Sequence, residues 1–517
     1  MPEKGKPGAV LVFLAVDCPL ARLYAPRLEE LHARYQDQVH FVGLVPDRET
    51  TPAAIAAFVH QHHLSFPVVI DEKRLAERLR ATRTPEVIVL DADGVQYQGR
   101  IDDQYGIGSQ RARPKVHYLA DALDALLAGR AVATPRTTAV GCLLDRPRSA
   151  PAEPAKDYSK HIAPILFRRC LDCHRPGRSA PFALTSYRET VRRAGMIREV
   201  IARGQMPPWG ADPKHGRFAN DASLTAEEKQ LIYTWIDAGC PEGNPADLPP
   251  LPPLPPEGWR IAPDVVYTMR DPVTIPAEGV LEYQRFLIDP GLVTDRLIQA
   301  IQIRPGNPAV MHHATVSILQ RANAPLATDM PIPSGDEHLA MYVPGQEVYL
   351  LPPGTAKSLP ANSLFVLEVH YTPLGRVQQD QTQIGIVWAD PATVRRRITT
   401  WVMVDTNLIL KPALADQKWT SDFPFDTPVL LHALFPHMHL RGRTVRFDAV
   451  FPDGSEEVLL LVPRYDFAWQ HRYILAEPRR LPAGTTIRIS AVFDNSADNP
   501  RNPDPNAYVR YGEQTSD

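Results

Sequence analysis

The sequence predicts a multi-domain chain in which an α/β unit, a small all-α unit and an all-β half follow one another. Three observations predict it: the length, two proline-rich interruptions, and a change of hydrophobic period across them. At 517 residues the chain exceeds what one hydrophobic core supports, and ordinary domain sizes give three or four units. The 53 prolines cluster, and the stretches Thr134 to Pro154 and Pro245 to Pro256 lack periodicity. The second favours stiff polyproline II geometry. The chain then divides into 1–133, a linker 134–157, a segment 158–244, a linker 245–257, and a β half whose length suggests two modules, 258–395 and 396–517.

In the first unit, short β-rich runs (Val10 to Val16, Val39 to Leu44, Pro67 to Ile70, Glu86 to Leu90, Val95 to Gly99) alternate with helical stretches and end in the amphipathic segment Val116 to Leu127. That alternation defines an α/β domain. The middle unit is helical. Thr225 with Glu228 makes a capping box, Leu231, Ile232, Trp235 and Ile236 share one face, and Gly239 stops the helix. Helical runs are also expected over His161 to Arg169 and Tyr187 to Ala202. From about Trp259 onward the text becomes strand-length runs between Pro, Gly, Asn and Asp turns, such as Leu364 to Tyr371, Val429 to Phe435 and Thr486 to Phe493.

A formal charge of −3, from 56 basic and 59 acidic residues, gives no field to hold a polyanion, so nucleic acid is not an expected partner. No apolar run reaches the roughly 20 residues of a membrane-spanning helix. Five cysteines are too few and too scattered for a disulfide framework, which turns attention to each one.

Cys170-Leu171-Asp172-Cys173-His174 is the C-x-x-C-H signature of covalent haem c attachment: two thiols form thioethers and the adjacent histidine reaches the iron. Half of a zinc site is the alternative, but no second C-x-x-C completes one. A sixth ligand is expected from Met206 in Gly204-Gln205-Met206-Pro207-Pro208-Trp209, with Met196 as its rival. Methionine and histidine ligation implies electron transfer. The region resembles bacterial cytochrome c domains over about residues 158–245.

A strand at Leu11 to Ala15, then Cys18-Pro19, a helix containing Pro26, and Thr84-Pro85 before another strand make the first unit similar to the thioredoxin-like redoxins. The resemblance implies a cis Thr-Pro bond lying against the active cysteine. A thiol at a helix N-terminus is favoured as thiolate, so Cys18 is placed to react. Ala21 stands where a C-x-x-C partner would fall, and Ala15 stands where peroxiredoxins carry threonine, which argues against thioredoxin-type exchange and peroxidase chemistry. Cys142 is the remaining partner for a disulfide, with two free thiols as the alternative.

The β half carries His312-His313 at the head of a strand-like run, His370-Tyr371 at the end of another, and His437-Met438-His439 after a third. Residues two apart on a strand share a face, so His437 and His439 can chelate one ion. Adjacent His312 and His313 require the strand to end or bulge there. Imidazole-rich sites suit copper or zinc. The order His-His, His-Tyr, His-x-His over residues 259–517 resembles the copper type II, ascorbate-dependent monooxygenases. That resemblance implies jelly-roll-like β-sandwich modules and two coppers. One is held by His312, His313 and His370 and stores an electron; the other is held by His437, His439 and a methionine, binds dioxygen and hydroxylates a substrate C–H bond. The family methionine has no counterpart after Met438, so the second site is expected to be incomplete as written or completed beyond a truncated end.

The functional expectation is an exported copper monooxygenase. Its partners are dioxygen and an unidentified organic substrate, and an electron donor feeds it through the haem. An electron carrier or thiol-redox protein with a non-catalytic copper-binding half is the alternative. Haem attachment to C-x-x-C-H takes place outside the cytoplasm, so an extracytoplasmic location is expected although no signal peptide precedes the first strand.

Overall fold

The computed structural model describes residues 6–107, 109–111, 113–144, 156–253, 258–279, 281–321 and 337–512. Much of the first proline-rich stretch, the end of the second, and Glu513 to Asp517 therefore lie outside the described residues.

The N-terminal unit is built on a five-stranded sheet. Gly8–Phe13 lies at its centre, parallel to Val39–Val45 and antiparallel to Glu86–Leu90. Val68–Ile70 and Val95–Gly99 form the edges. The helix Pro19–Tyr35 buries Leu20, Tyr24, Leu28 and Leu31, and Tyr118–Leu127 buries Leu119 and Leu123; both close on the sheet through Val10, Val12, Val87 and Val89. The first part of the proline-rich stretch is not a free linker. Residues 135–137 run beside Gln98, and Cys142–Leu143 pairs antiparallel with Arg83–Thr84.

The middle unit packs helices Ala163–Arg169, Ala194–Ala202 and Ala226–Asp237 around Ile165, Leu166, Ile197, Trp235 and Ile236. Thr225 and Glu228 form the reciprocal cap expected of them. The expected helix from Tyr187 to Ala202 is broken into Tyr187–Val191 and Ala194–Ala202. The break falls where Arg192 and Arg193 turn to carboxylates of the N-terminal unit, Asp47 and Asp17. Arg83 with Glu199 at 2.9 Å and Arg188 with Glu49 at 2.9 Å complete that contact.

The C-terminal half is all-β with several sheets and two cores. The first core lies between a four-stranded sheet (Gln284–Ile288, Ser363–Tyr371, Met311–Gln320, His338–Tyr342) and a larger sheet centred on Arg296–Arg304. The second core forms on the sheet Gln417–Phe425, Thr485–Phe493, Gly442–Val450 and Glu456–Val462. Alternation along Gln417–Phe425 between exposed and half-buried positions fits a strand with one wet face. No helix among the described residues is long and apolar enough to cross a membrane.

Candidate functional site

The largest group of buried chemistry lies where the two β cores meet. Met311–Gln320 pairs with Ser363–Tyr371, and the register slips between Met311 and His313 so that His313 faces His370. This bulge resolves the problem of adjacent residues pointing oppositely: the His312 and His313 rings lie 5.1 Å apart with their Nδ1 atoms at 2.9 Å. The ligand nitrogens of His312, His313 and His370 all lie within 4.8 Å of one another. Two nitrogens bonded to one ion at about 2.0–2.1 Å stand about 2.8–3.4 Å apart at ordinary coordination angles, so the observed Nδ1 pair fits a shared cation.

His437 and His439 come from the second β core. The strand Val429–Leu434 ends before them, so they stand on an extended segment rather than within a strand. The alternation still holds: their rings lie 5.2 Å apart at 89°, while Met438 turns into the core. Gln470 Nε2 donates to the Phe467 carbonyl, so its Oε1 faces His437 Nδ1 at 2.7 Å as acceptor. The His437 proton therefore sits on Nδ1, and Nε2 keeps the free electron pair.

The two sets meet, with His313 and His437 ring centroids 5.9 Å apart. Phe467 stacks on His312 at 4.9 Å, and Tyr283 packs against His313 and His370 at 5.3 and 5.0 Å. His313 and His370 are only 4 % and 7 % exposed, whereas His437 is exposed as a residue even though burial around its ring pushes it down to about 3. The constellation is thus enclosed at His313 and His370, with His437 as its most exposed residue. Burial first, then the neighbouring imidazoles, pushes His312 down to about 3 and His313 well below the usual histidine range. Burial also takes His370 down to about 4. Neutral imidazoles present lone pairs to a metal without proton competition.

The C-x-x-C-H residues lie on the face of the helical unit that meets the β half. Cys170 ends the helix Ala163–Arg169, and the Cys173 and His174 amides both donate to the Cys170 carbonyl at 3.2 and 2.9 Å. His174 Nδ1 lies 3.1 Å from the Phe182 carbonyl, which places its proton there and frees Nε2. Burial lowers the His174 pKa and raises Cys170 to about 12. Met196 and Met206 are both half-buried; the Met206 amide donates to the Val200 carbonyl at 3.3 Å. Just after Met206 the chain leaves the helical core, and Trp209 and Phe218 pack on the second β core.

A polar bridge, which sequence reasoning missed, joins this face to the histidines. A Cβ on Gly345 would stand 3.3 Å from Cys173 Sγ. The next residue, Gln346, accepts from the Arg472 amide at 3.0 Å, so its Nε2 donates to His471 Nδ1 at 3.1 Å. Gln470, adjacent to His471, holds His437. Arg178 with Glu347 at 2.9 Å and Arg260 with Asp172 at 2.9 Å pin the helical unit across this contact. The sequence signal was slight: two polar residues, Gln470 and His471, after the aromatic run Phe467 to Trp469.

The thiol site is separate. Cys18 is 1 % exposed at the N-cap of Pro19–Tyr35, and its Sγ donates to the Thr84 carbonyl at 3.0 Å, beside the cis Thr84–Pro85 bond. Cys142 lies opposite Thr84 in the strand register, and the two cysteine side chains hydrogen-bond to each other. The approach needs Gly141: its φ is +148°, and a Cβ there would stand 2.0 Å from the Thr84 carbonyl oxygen. Burial opposes ionisation of Cys18, but hydrogen bonds led by that from the Cys142 side chain and including the Ala21 amide outweigh it and bring the thiol down to about 6. The same bond, with burial, pushes Cys142 up. The pair thus has one nucleophilic and one protonated sulfur.

Sheet order, helix placement and the cysteine at a helix N-terminus define a thioredoxin-like domain. Residues 3–97 match the AhpC/TSA family, so the N-terminal unit is a redoxin domain. No curated protein matches the chain. Among solved structures, a hypothetical protein from Sinorhizobium meliloti is 24 % identical over 27 % of this chain and 79 % of its own, with a TM-score of 0.24. An uncharacterized conserved protein from Geobacillus kaustophilus is 26 % identical over 28 % of this chain and 80 % of its own, TM-score 0.25. A secreted Mycobacterium tuberculosis disulfide oxidoreductase is 24 % identical over 24 % of this chain and 81 % of its own, TM-score 0.18.

Proposed function

We propose that this redox protein is an exported, copper-dependent monooxygenase in which a c-type haem unit serves the β half as electron donor. The observation that carries the reading is the convergence of His312, His313, His370, His437 and His439 from distant segments on one solvent-reaching constellation. Copper held there supplies one-electron storage and dioxygen chemistry. His312, His313 and His370 hold the enclosed position suited to storage. His437, through Nε2, and His439 would hold the other copper, on the side where His437 is exposed and where dioxygen and an organic substrate would enter.

The haem would be attached through Cys170 and Cys173, with His174, through Nε2, and Met206 as its iron ligands, and would supply single-electron carriage. Support for its role comes from the bridge: Gly345 packs close against Cys173, and from Gly345 the covalent and hydrogen bonds of Gln346, His471 and Gln470 lead to His437. The chain's own residues here orient rings, fix protons and exclude water from the enclosed histidines. The decisive experiment is metal and haem analysis of protein exported by a host that attaches haem c, followed by oxygen uptake. One haem and two coppers per chain are expected, with copper lost in His370→Ala; histidine-free or absent copper sinks the reading.

The AhpC/TSA match and the Cys18–Cys142 pair favour a second reading, thiol–disulfide exchange, in which Cys18 attacks a partner disulfide and Cys142 resolves the mixed disulfide. The partner leaves as a dithiol and the two sulfurs here become a disulfide. Trapping a mixed disulfide in Cys142→Ala, and none in Cys18→Ala, tests it.

A further inference from the structure

The thiol pair lies under the other units of the chain, and an ion pair stands beside each of its cysteines. Cys18 is buried and Cys142 half-buried. Asp17, the residue before Cys18, pairs with Arg193 at the head of the helix Ala194–Ala202. Gly141, the residue before Cys142, accepts from Arg83 Nη1 at 2.7 Å through its carbonyl. Arg83 Nη2 then donates to both Glu199 oxygens, at 2.9 and 3.0 Å, on that same helix. The helix packs on the strand Cys142–Leu143. One turn past Cys18 the β half closes in as well. A Cβ on Gly375 would stand 2.1 Å from the Arg22 carbonyl oxygen, and His62 Nδ1 donates to the Gly375 carbonyl at 3.2 Å.

Charge holds this cover down. Arg22 of the redoxin domain lies near enough to Arg193 of the helical unit and Arg376 of the β half to be repelled by both, and Asp17 attracts it. Asp17 therefore stands between guanidinium groups that would otherwise push the units apart. The Arg83 and Glu199 side chains are both mostly buried, so breaking their pair leaves an uncompensated charge. An incoming disulfide must reach the Cys18 sulfur itself to exchange with it. We propose that the helical unit is a gate over the thiol pair, locked by Asp17 with Arg193 and by Arg83 with Glu199, and that exchange with a protein partner requires the helix Ala194–Ala202 to lift. This rests on the thiol-exchange reading above. In that exchange the Cys18 thiolate bonds to one partner sulfur and the other leaves as a thiolate. Cys142, losing its proton, then displaces the first, so the pair is oxidised by two electrons and the partner is reduced by two. Access follows the population of the lifted state.

The test uses the full, reduced chain and two maleimides, one small and one carrying a polyethylene glycol chain, with the labelled cysteine located by peptide mass. The quantity read is the ratio of large-probe to small-probe rates at Cys18, in which the intrinsic reactivity of the thiolate cancels. Arg193→Gln and Glu199→Gln should each raise that ratio by about tenfold over wild type. Arg193→Lys, which keeps the charge, should stay near wild type. A ratio unchanged in both glutamine variants overturns the gate and leaves thiol exchange standing. A ratio raised as much by Arg193→Lys overturns the ionic lock. Cys240, buried in the helical core, should stay unlabelled. Its labelling in step with Cys18 means that the unit unfolds rather than lifts, which also overturns the gate. A raised ratio with no mixed disulfide trapped in Cys142→Ala leaves the gate standing and removes the exchange reading.

Discussion

The thiol pair and the imidazole constellation solve opposite electrostatic problems with similar materials. Both assemble residues distant in sequence and place most of them away from water. At Cys18 the hydrogen bonds outweigh burial and favour the charged sulfur. At His312 and His313 burial prevails and, with the neighbouring rings, keeps the imidazoles neutral. The difference teaches that burial alone does not set the charge of a site; the donors aimed at it do.

Substitutions can break that contrast in decreasing order of effect. His313→Ala removes the ring that touches both histidine sets, and copper affinity should fall by more than about 100-fold, beyond the range of outer-shell changes. Competition against a chromophoric copper chelator reads this, and a fall under tenfold contradicts the central place given to His313. Gln470→Leu leaves the ligands intact but frees the His437 ring, with an expected loss of about 10- to 100-fold in the same assay.

On the thiol side, Cys142→Ala removes a donor to the Cys18 sulfur. The thiolate form, present above a midpoint of about 6 and lost as pH falls through it, should then appear only towards the free value of about 8.5. Ultraviolet titration of thiolate absorbance measures the shift; an unmoved midpoint removes Cys142 as its cause. Smallest is Arg188→Ala. That pair with Glu49 is 66 % and 58 % exposed on its two side chains, and its loss should change stability by about 0–1 kcal/mol in thermal unfolding.

The sequence made some of this legible because certain signals are local. Thr225 and Glu228 cap a helix three residues apart, and Cys18-Pro19 marks a helix start. For His312 and His313 to face one ion the strand must end or bulge there, and the register slips at that point. Other features depend on partners that local pattern cannot see. The helix expected from Tyr187 to Ala202 is interrupted at Arg192 and Arg193, the two residues that pair with Asp47 and Asp17 on another unit. The return of residues 135–144 to the first sheet was hidden because a proline-rich composition reads as linker whether or not it pairs. Gln346 and His471 meet only in the folded chain, and neither belongs to a motif.

Gly141 carries a consequence for anyone moving the thiol pair to another scaffold. A homologue that kept both cysteines but gained any side chain at this position would retain the reagents and lose their meeting, since Thr84's carbonyl oxygen already fills the space. The heritable unit is therefore the dipeptide Gly141-Cys142 with the backbone edge at Thr84. A survey for relatives that share this chemistry should look for a glycine-cysteine pair after the last helix of the redoxin domain, far from the first cysteine.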